Sequence, residues 1–369
     1  MKLPSLLTDL ALDLLKQTAG TPTRMISPLS LAEALAMLAE GASGETLHQL
    51  EKFLGLSRPT LRRSLSALRP AFAQASEDQL RQANSLWADE AGFTPAPAYL
   101  RRLTEHYAAE LHTLPLAGPD AAPRINGWVS EATDGMIPRL VEEDMLRGLR
   151  LLLINALCFT AEWARAFMSH TCPHPFTRAD GTAVTADFMH SKCEHLFLSH
   201  KGAQGFVKPY ADGAFRFAAI LPPEGVSAED YLAELDGKTL HRILRTPAEC
   251  PSLRVKMPAF RADYSITLND ALKELGLTRI FSPAAELDRM GEADGRLSVD
   301  AVLQKTQIEV NTAGTRAAAV TAVTVMTTAL MPPEEYRELV FDRPFLYAIL
   351  HTETHTPIFM GIMDNPTAK

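Results

Sequence analysis

A chain of 369 residues with 46% hydrophobic residues is long enough for one large buried core, and no linker rich in glycine, serine or proline divides it. Its formal net charge of −8 argues against nucleic acid as the main partner, and no apolar run reaches membrane-spanning length. Four scattered cysteines form no disulfide framework. We therefore predict one globular domain over residues 1–369 without membrane or nucleic-acid partners. We also expect a monomer.

The first third of the chain is predicted to be mostly helical. Residues 1–17 combine an apolar stripe with Asp9 and Asp13, which is typical of an amphipathic helix and not of a secretion signal. Ser27 before Pro28 predicts the start of another helix, because proline is tolerated at the first helical position. Further helices are predicted over residues 60–75, 98–109 and 125–134, and a strand over residues 82–88.

The middle of the chain adds strands. Residues 150–159 form a nearly continuous apolar run, which predicts a strand buried on both faces. A helix over residues 266–275 is predicted to end at Gly276. Since helices and strands do not alternate regularly, the pattern indicates an α+β fold with mostly antiparallel sheets. Other strands are predicted over residues 215–221, 252–257 and 345–351.

Motifs of enzymes are missing from the sequence: it has no Gly-x-Ser-x-Gly elbow, no P-loop, no dinucleotide fingerprint and no zincin helix. We therefore predict that the chain is not an enzyme. His351 and His355 have helical spacing, but the threonines and proline around them predict a strand, a turn and a strand.

Two groups of histidine and cysteine residues are candidates for a tetrahedral zinc site. Their spacings match no standard zinc motif, and Pro173 and Pro175 interrupt the first group. We favour surface-loop residues over ligands, and we expect no metal and no cofactor. The groups are His170, Cys172 and His174, and His190, Cys193 and His195.

The stretch from residue 304 to residue 336 combines residues that favour a β-strand with flanking residues that are typical of an exposed loop. After Gly314, residues 315–325 are small or β-branched except Arg316. Pro332 and Pro333 then mark an exposed loop. This combination indicates a segment that is exposed in one state and part of a sheet in another.

These residues resemble the hinge of the reactive-centre loop of serpins. Other segments resemble serpin elements in the order of that family, so the resemblance covers nearly the whole chain. The hinge motif consists of Glu309, Val310, Asn311, Gly314, Thr315, Ala317, Ala318 and Ala319. The other similar segments are residues 26–30, 84–87, 155–159 with Trp163 and Phe167, Phe345, 359–361 and 365–366.

The resemblance implies a serpin fold with about three mostly antiparallel sheets, eight or nine helices and an exposed loop over residues 311–335. It also implies that the chain inhibits serine proteases as a suicide substrate, with papain-like cysteine proteases as further candidate targets. A protease would cleave the loop and form an acyl-enzyme, and the loop would enter the main sheet as a strand of about 45 Å. The alternative is a non-inhibitory serpin that acts as a carrier.

The resemblance also implies roles for particular residues of the hinge, the shutter and the breach. The positions that would face inward on insertion are small, whereas Arg316 is predicted to face outward. Gln304 stands where the family usually has a histidine. The hinge would comprise Gly314, Thr315, Arg316, Ala317, Ala318, Ala319 and Val320. The polar network called the shutter would comprise Ser27, Ser30, Asn155 and Gln304, and Trp163 would lie in the breach above it.

Two bonds are candidates for cleavage. Counting from the hinge glycine favours Thr328-Ala329, whereas the segment that follows the loop favours Leu330-Met331; we prefer the first. Neither bond offers a cation to a trypsin-like pocket, so elastase-like targets are expected for Thr328, and chymotrypsin- or subtilisin-like targets for Leu330.

The family also suggests a location and a second ligand. The sequence alone leaves two locations open, since the protein stays inside the cell or has had a secretion signal removed. By resemblance to the family we expect an extracellular protein. In some serpins the helix matching residues 60–75 binds heparin-like polyanions. On this acidic chain we favour a solvated basic face over such a site. The arginines concerned are Arg58, Arg62, Arg63 and Arg69.

Overall fold

The computed structural model describes residues 2–20, 23–72, 79–315 and 336–368. These residues form ten α-helices and three sheets, so the α+β prediction is confirmed, with one or two more helices than expected. The helices are α1 (Leu3–Gln17), α2 (Pro28–Gly41), α3 (Gly44–Leu54), α4 (Arg58–Phe72), α5 (Pro97–Tyr107), α6 (Ala121–Ala132), α7 (Glu143–Leu146), α8 (Ala228–Glu234), α9 (Gly237–Arg245) and α10 (Asn269–Glu274).

Eighteen strands are found in the same residues. They are β1 (Arg24–Ile26), β2 (Leu80–Asp89), β3 (Phe93–Pro95), β4 (Glu110–Leu114), β5 (Leu151–Phe159), β6 (Ala161–Glu162), β7 (Cys172–Thr177), β8 (Ala183–His200), β9 (Ala203–Pro209), β10 (Phe215–Leu221), β11 (Ala248–Pro258), β12 (Phe260–Thr267), β13 (Gly291–Ala293), β14 (Ala301–Val310), β15 (Gly314–Thr315), β16 (Arg337–Val340), β17 (Phe345–His351) and β18 (Pro357–Met363).

The chain divides into two compact units. The first comprises Met1–Leu7, Ser27–Cys158 and Tyr264–Gln307, and the second comprises Thr8–Ile26, Phe159–Asp263 and Ile308–Lys369. Each unit combines segments that are distant in sequence, because strands from both halves of the chain pair within it.

In the first unit, strands are ordered β4-β2-β5-β14. Every residue of β5 is buried, as its apolar run predicted. β5 and β14 pair directly in parallel, from Leu152 with Ala301 to Cys158 with Gln307. One face of this sheet packs against α6, whose Ile125 and Val129 are fully buried in the same core. No other strand therefore lies between β5 and β14 over this register.

In the second unit, nine strands form one sheet in the order β1-β18-β17-β10-β9-β8-β11-β16, with β7 paired to β8. The predicted strands over residues 215–221 and 345–351 match β10 and β17, and a turn joins β17 to β18 between His351 and His355. The same unit contains the last residues of β14, which pair with β15, and β15 also pairs with β6.

Two expectations were wrong. Ile266 and Thr267 are not helical, because the alternating burial of β12 continues to Thr267 and α10 begins at Asn269. The second error concerns the groups of histidine and cysteine, which lie largely in β7 and β8 and not in surface loops. Among the described strands, β7 pairs only with β8, and prolines are tolerated in such an edge strand. Within the described ranges, no three or more His, Cys, Asp or Glu residues are grouped to hold a metal ion.

None of the helices in the described ranges is long and apolar enough to cross a bilayer.

Candidate functional site

The start of the predicted hinge is already part of a sheet. Gly314 and Thr315 form β15, which pairs antiparallel with Val310 of β14 on one side and with β6 on the other. Thr315 is fully buried. The residue expected to begin insertion therefore occupies a strand position before any cleavage of the loop.

The side chain of Thr315 has a single hydrogen-bond partner among the described residues, the buried Tyr210. The two hydroxyl oxygens lie 2.7 Å apart. The ring of Tyr210 stacks on Trp163, with centroids 4.5 Å apart, and meets Phe159 edge-on. Burial raises the pKa of the Tyr210 hydroxyl, so the group stays protonated and available for this hydrogen bond.

A tight turn connects β14 to β15. The side-chain oxygen of Asn311 accepts hydrogen bonds from the backbone N–H groups of Ala313 and Gly314, at 3.0 and 3.1 Å. The indole N–H of Trp163 donates to the Asn311 carbonyl at 2.9 Å. The backbone N–H of Trp163 donates to Ala313 and that of Phe167 to Thr312. The tryptophan expected in the breach thus holds the turn that leads to Thr315.

Glycine is required at position 314 by close backbone packing. A Cβ atom built on Gly314 would lie 2.2 Å from the carbonyl oxygen of Ala161 in β6. Any side chain here would push β15 away from β6.

A buried ion pair lies beside the aromatic rings of Trp163 and Phe167. Nζ of Lys208 lies 2.5 Å from Oε1 of Glu194, and the hydroxyl of Ser191 donates to the same oxygen. The ammonium also lies 4.5 Å from the ring centroid of Phe167 and 5.7 Å from that of Trp163. Burial lowers the pKa of Lys208, and Glu194 opposes this shift by favouring the charged form.

The four residues predicted for the shutter meet in the first unit. The side chain of Gln304 accepts from the backbone N–H of Ser27 and donates to its carbonyl, both at 3.0 Å. It also donates to Oδ1 of Asn155 at 2.7 Å, its partner in the β5–β14 ladder. Ser27 caps α2 by accepting from the backbone N–H of Ser30. All four residues are fully buried.

Three further side chains complete this polar cluster, and none of them was predicted to belong to the shutter. Asn84 on β2 accepts from Asn155 at 2.6 Å and donates to Glu33 at 2.9 Å. Gln82 donates to Ser30 at 3.1 Å and to Glu33. The signal available in the sequence was a polar residue, Asn84, within a predicted strand.

Two of the arginines considered for polyanion binding make intramolecular contacts. Arg62 donates to both carboxylate oxygens of the buried Glu40, at 2.8 and 2.9 Å. Arg58 donates to the carbonyls of Ala39 and Ala42 at the end of α2. These bonds orient part of the basic face toward α2.

The other hinge residues and both candidate bonds lie outside the described residues. They are Arg316, Ala317, Ala318, Ala319 and Val320 of the hinge, and Thr328, Ala329, Leu330 and Met331 at the candidate bonds.

Comparison with known proteins gives consistent matches. The family model described as Serpin (serine protease inhibitor) matches residues 5–366. A serpin-like protein of Thermococcus kodakarensis is 32% identical, covering 96% of this chain and 83% of that protein. Leukocyte elastase inhibitor A of Mus musculus is 30% identical, covering 95% of each chain.

Solved structures agree with these matches. The thermophilic serpin tengpin in its native state has a TM-score of 0.91 at 33% identity, covering 99% of this chain and 94% of that one. Thyroxine-binding globulin in complex with thyroxine has a TM-score of 0.88 at 23% identity, covering 100% of both chains, a likeness that concerns the fold alone.

Proposed function

Because this chain belongs to the serpin (serine protease inhibitor) family, we propose that it inhibits serine proteases as a suicide substrate. Residues 1–369 act as one domain, and residues 311–335 are the loop that the protease attacks. The nucleophilic serine of the protease forms an ester with the residue before the cleaved bond and releases the amine of the next residue. Insertion of the cleaved loop into the sheet traps this ester before water hydrolyses it.

The observation that carries this proposal is the position of Thr315 in β15. Its hydroxyl and small β-branched side chain fit a fully buried site between two strands. In an antiparallel ladder each further residue of β15 would pair with an earlier residue of β14. Since Val310 pairs with Thr315, positions 317 and 319 would meet residues 308 and 306. Both inward positions are alanine.

Lengthening β15 in this way requires β5 and β14 to separate, since they pair directly over seven residue pairs. The polar cluster around Gln304 crosses this boundary, because its amide binds Asn155 on β5. The hydrogen bonds of this cluster must therefore break and form again during insertion. Its residues are Gln304, Asn155, Ser27 and Ser30. The new strand pairing supplies the driving force, and the uninserted arrangement is metastable.

We propose Thr328-Ala329 as the cleaved bond and Leu330-Met331 as the alternative. Their side chains suit elastase-like and chymotrypsin- or subtilisin-like pockets respectively, and papain-like cysteine proteases are further candidates. The likeness to leukocyte elastase inhibitors supports the first class. We further propose a monomer in an extracellular location, by resemblance to the family. A carrier that cannot insert its loop is the alternative, and the small residues of the hinge argue against it.

The test is incubation with an elastase-like, a chymotrypsin-like and a trypsin-like protease. We expect a covalent complex with the first or second that survives boiling in detergent, and release of a C-terminal peptide that begins at Ala329 or Met331. Cleavage of the loop without any stable complex would reject inhibition. A large rise in thermal stability of the loop-cleaved chain would distinguish an inserting serpin from a carrier.

A further inference from the structure

Two residues hold all three carbonyl groups of the turn between β14 and β15. The backbone N–H groups of Trp163 and Phe167 donate to the carbonyls of Ala313 and Thr312, both at 2.9 Å. The indole N–H of Trp163 donates to the carbonyl of Asn311, also at 2.9 Å. The position of this turn therefore depends on where Trp163 and Phe167 lie.

The ammonium group of Lys208 faces the rings of these two residues. It lies 4.5 Å from the ring centroid of Phe167 and 5.7 Å from that of Trp163. Both distances allow cation–π attraction, which is stronger where water is excluded. The side chain of Lys208 is 1% exposed. One buried cation therefore restrains both residues that hold the turn.

Lys208 and Tyr210 reach Trp163 from the same end of β9. Alternate residues of an extended chain share a face, so these two side chains point to the same side. The ring of Tyr210 stacks on that of Trp163, with an interplanar angle of 10°. The hydroxyl of Tyr210 binds that of Thr315, the last described residue of β15. The ammonium of Lys208 thus restrains an indole that is also coupled to β15.

Stability alone does not explain why an ion pair is buried here. Moving two charges out of water costs about as much free energy as their attraction returns, and apolar residues of similar size often stabilise a fold equally well. The carboxylate of Glu194 lies 2.5 Å from Nζ of Lys208, and the hydroxyl of Ser191 donates to the same carboxylate oxygen. These contacts give the ammonium one defined position beside the rings, which an apolar side chain would not need.

We propose that Lys208, anchored by Glu194, is a positioning residue for insertion of the loop. The inference rests on the proposed function, in which insertion competes with hydrolysis of the acyl-enzyme. β14 and β15 form a hairpin, and the turn of a hairpin fixes the register of its strands. Because Lys208 keeps this turn ordered before cleavage, less conformational entropy is lost when the next residues of the loop pair with β14. Insertion is faster as a result, and a larger fraction of the acyl-enzyme is trapped.

The first measurement uses the intact chain and needs no protease. The amide protons of Trp163 and Phe167 exchange with solvent deuterium when their hydrogen bonds to the turn open. The test variant is Lys208→Met with Glu194→Met, which removes the cation without leaving a carboxylate unpaired. Exchange at the two amides should become about fivefold faster, the factor that corresponds to one cation–π contribution.

The second measurement is the ratio of cleaved, released chain to covalent complex after reaction with a protease. This ratio should rise about fivefold in the same double variant, because slower insertion gives hydrolysis more time. The rate of loop cleavage should not change. Phe167→Leu removes the nearer ring and keeps the ion pair, so it should change both measurements in the same direction.

The control is Arg24→Met with Glu229→Met. It removes another fully buried cation and its carboxylate partner, which join β1 to α8. Both measurements on this control should stay within about twofold of the parent, since neither residue contacts the rings beside the turn.

Unchanged amide exchange in the Lys208 and Glu194 double variant would overturn the proposal. Faster exchange without a rise in the ratio of cleaved chain to complex would also overturn it. An equal rise in the Arg24 and Glu229 control would do the same, because the effect would then follow overall stability and not the turn. Absence of covalent complex in the unaltered chain would instead reject the proposed function, while the exchange measurement would still show whether Lys208 orders the turn.

Discussion

The hydroxyl of Thr315 lies 2.7 Å from the hydroxyl of Tyr210, inside a site from which both side chains exclude water. The two residues are 105 positions apart in sequence. This hydrogen bond ties the beginning of the proposed hinge to the stacked pair of Tyr210 and Trp163. The free energy of this hydrogen bond contributes to keeping β15 in the sheet of the intact chain, and a double-mutant cycle can measure it.

The first prediction is a coupling energy between these two hydroxyls. Tyr210→Phe and Thr315→Val each leave one buried hydroxyl unpaired, so each should lower the free energy of unfolding by about 1–3 kcal/mol. The double variant should cost less than the sum, with a coupling of about 1 kcal/mol. Urea unfolding of the four intact proteins measures this cycle. Strict additivity would mean that the hydrogen bond contributes nothing.

The second prediction separates cleavage of the loop from trapping of the protease. Thr315→Arg places a cation in a fully buried strand position without an acidic partner, so β15 should leave the sheet and insertion should stall. The variant should be cleaved as an ordinary substrate, with no detergent-stable complex on a gel. Thr312→Arg, at a half-buried position, is the matched control and should still form complex. Undiminished trapping by Thr315→Arg would contradict the proposed path of insertion.

The third prediction concerns the ion pair of Lys208 and Glu194. Lys208→Met leaves a buried carboxylate without its cation, which should lower stability by about 3–5 kcal/mol. Adding Glu194→Met removes the unpaired charge and should recover most of that loss. The midpoint of urea unfolding reports both effects. A double variant as unstable as Lys208→Met would indicate that the contacts of the Lys208 ammonium with the rings of Phe167 and Trp163, and not the ion pair, supply the stability.

The fourth prediction is a pH dependence that arises at His355. Burial, followed by Arg216, Arg245, His241 and His351, lowers the pKa of this imidazole from 6.5 to about 4. Since the unfolded chain binds the proton more readily, stability should fall as the pH drops from about 6.5 toward 4.

The variant His355→Asn tests this dependence. Asparagine tolerates the φ of 55° at this position and offers an oxygen to the guanidinium of Arg216, which donates to Nδ1 of the histidine. The melting temperature of the variant should decline less steeply than that of the parent below pH 6.5. Parallel declines would place the titration elsewhere.

Much of the molecule follows from local sequence patterns. A continuous apolar run predicted β5, and it is buried at every position. Proline after serine predicted the start of α2. The order of short motifs identified the family. Positions that require small, apolar or β-branched residues can be recognised in the sequence without knowledge of their packing partners.

The tertiary structure decided which distant residues meet. Tyr210 contacts Thr315, the pair of Lys208 and Glu194 lies beside Trp163 and Phe167, and Asn84 donates to Glu33 in the polar cluster. The local sequence around these residues does not indicate these partners. Likewise, the spacing of apolar residues predicted a helix from Ile266, but β12 includes this residue and its burial alternates as in a strand. Periodicity reports the face that one element buries, whereas a hydrogen bond across 105 residues exists only once the strands have paired.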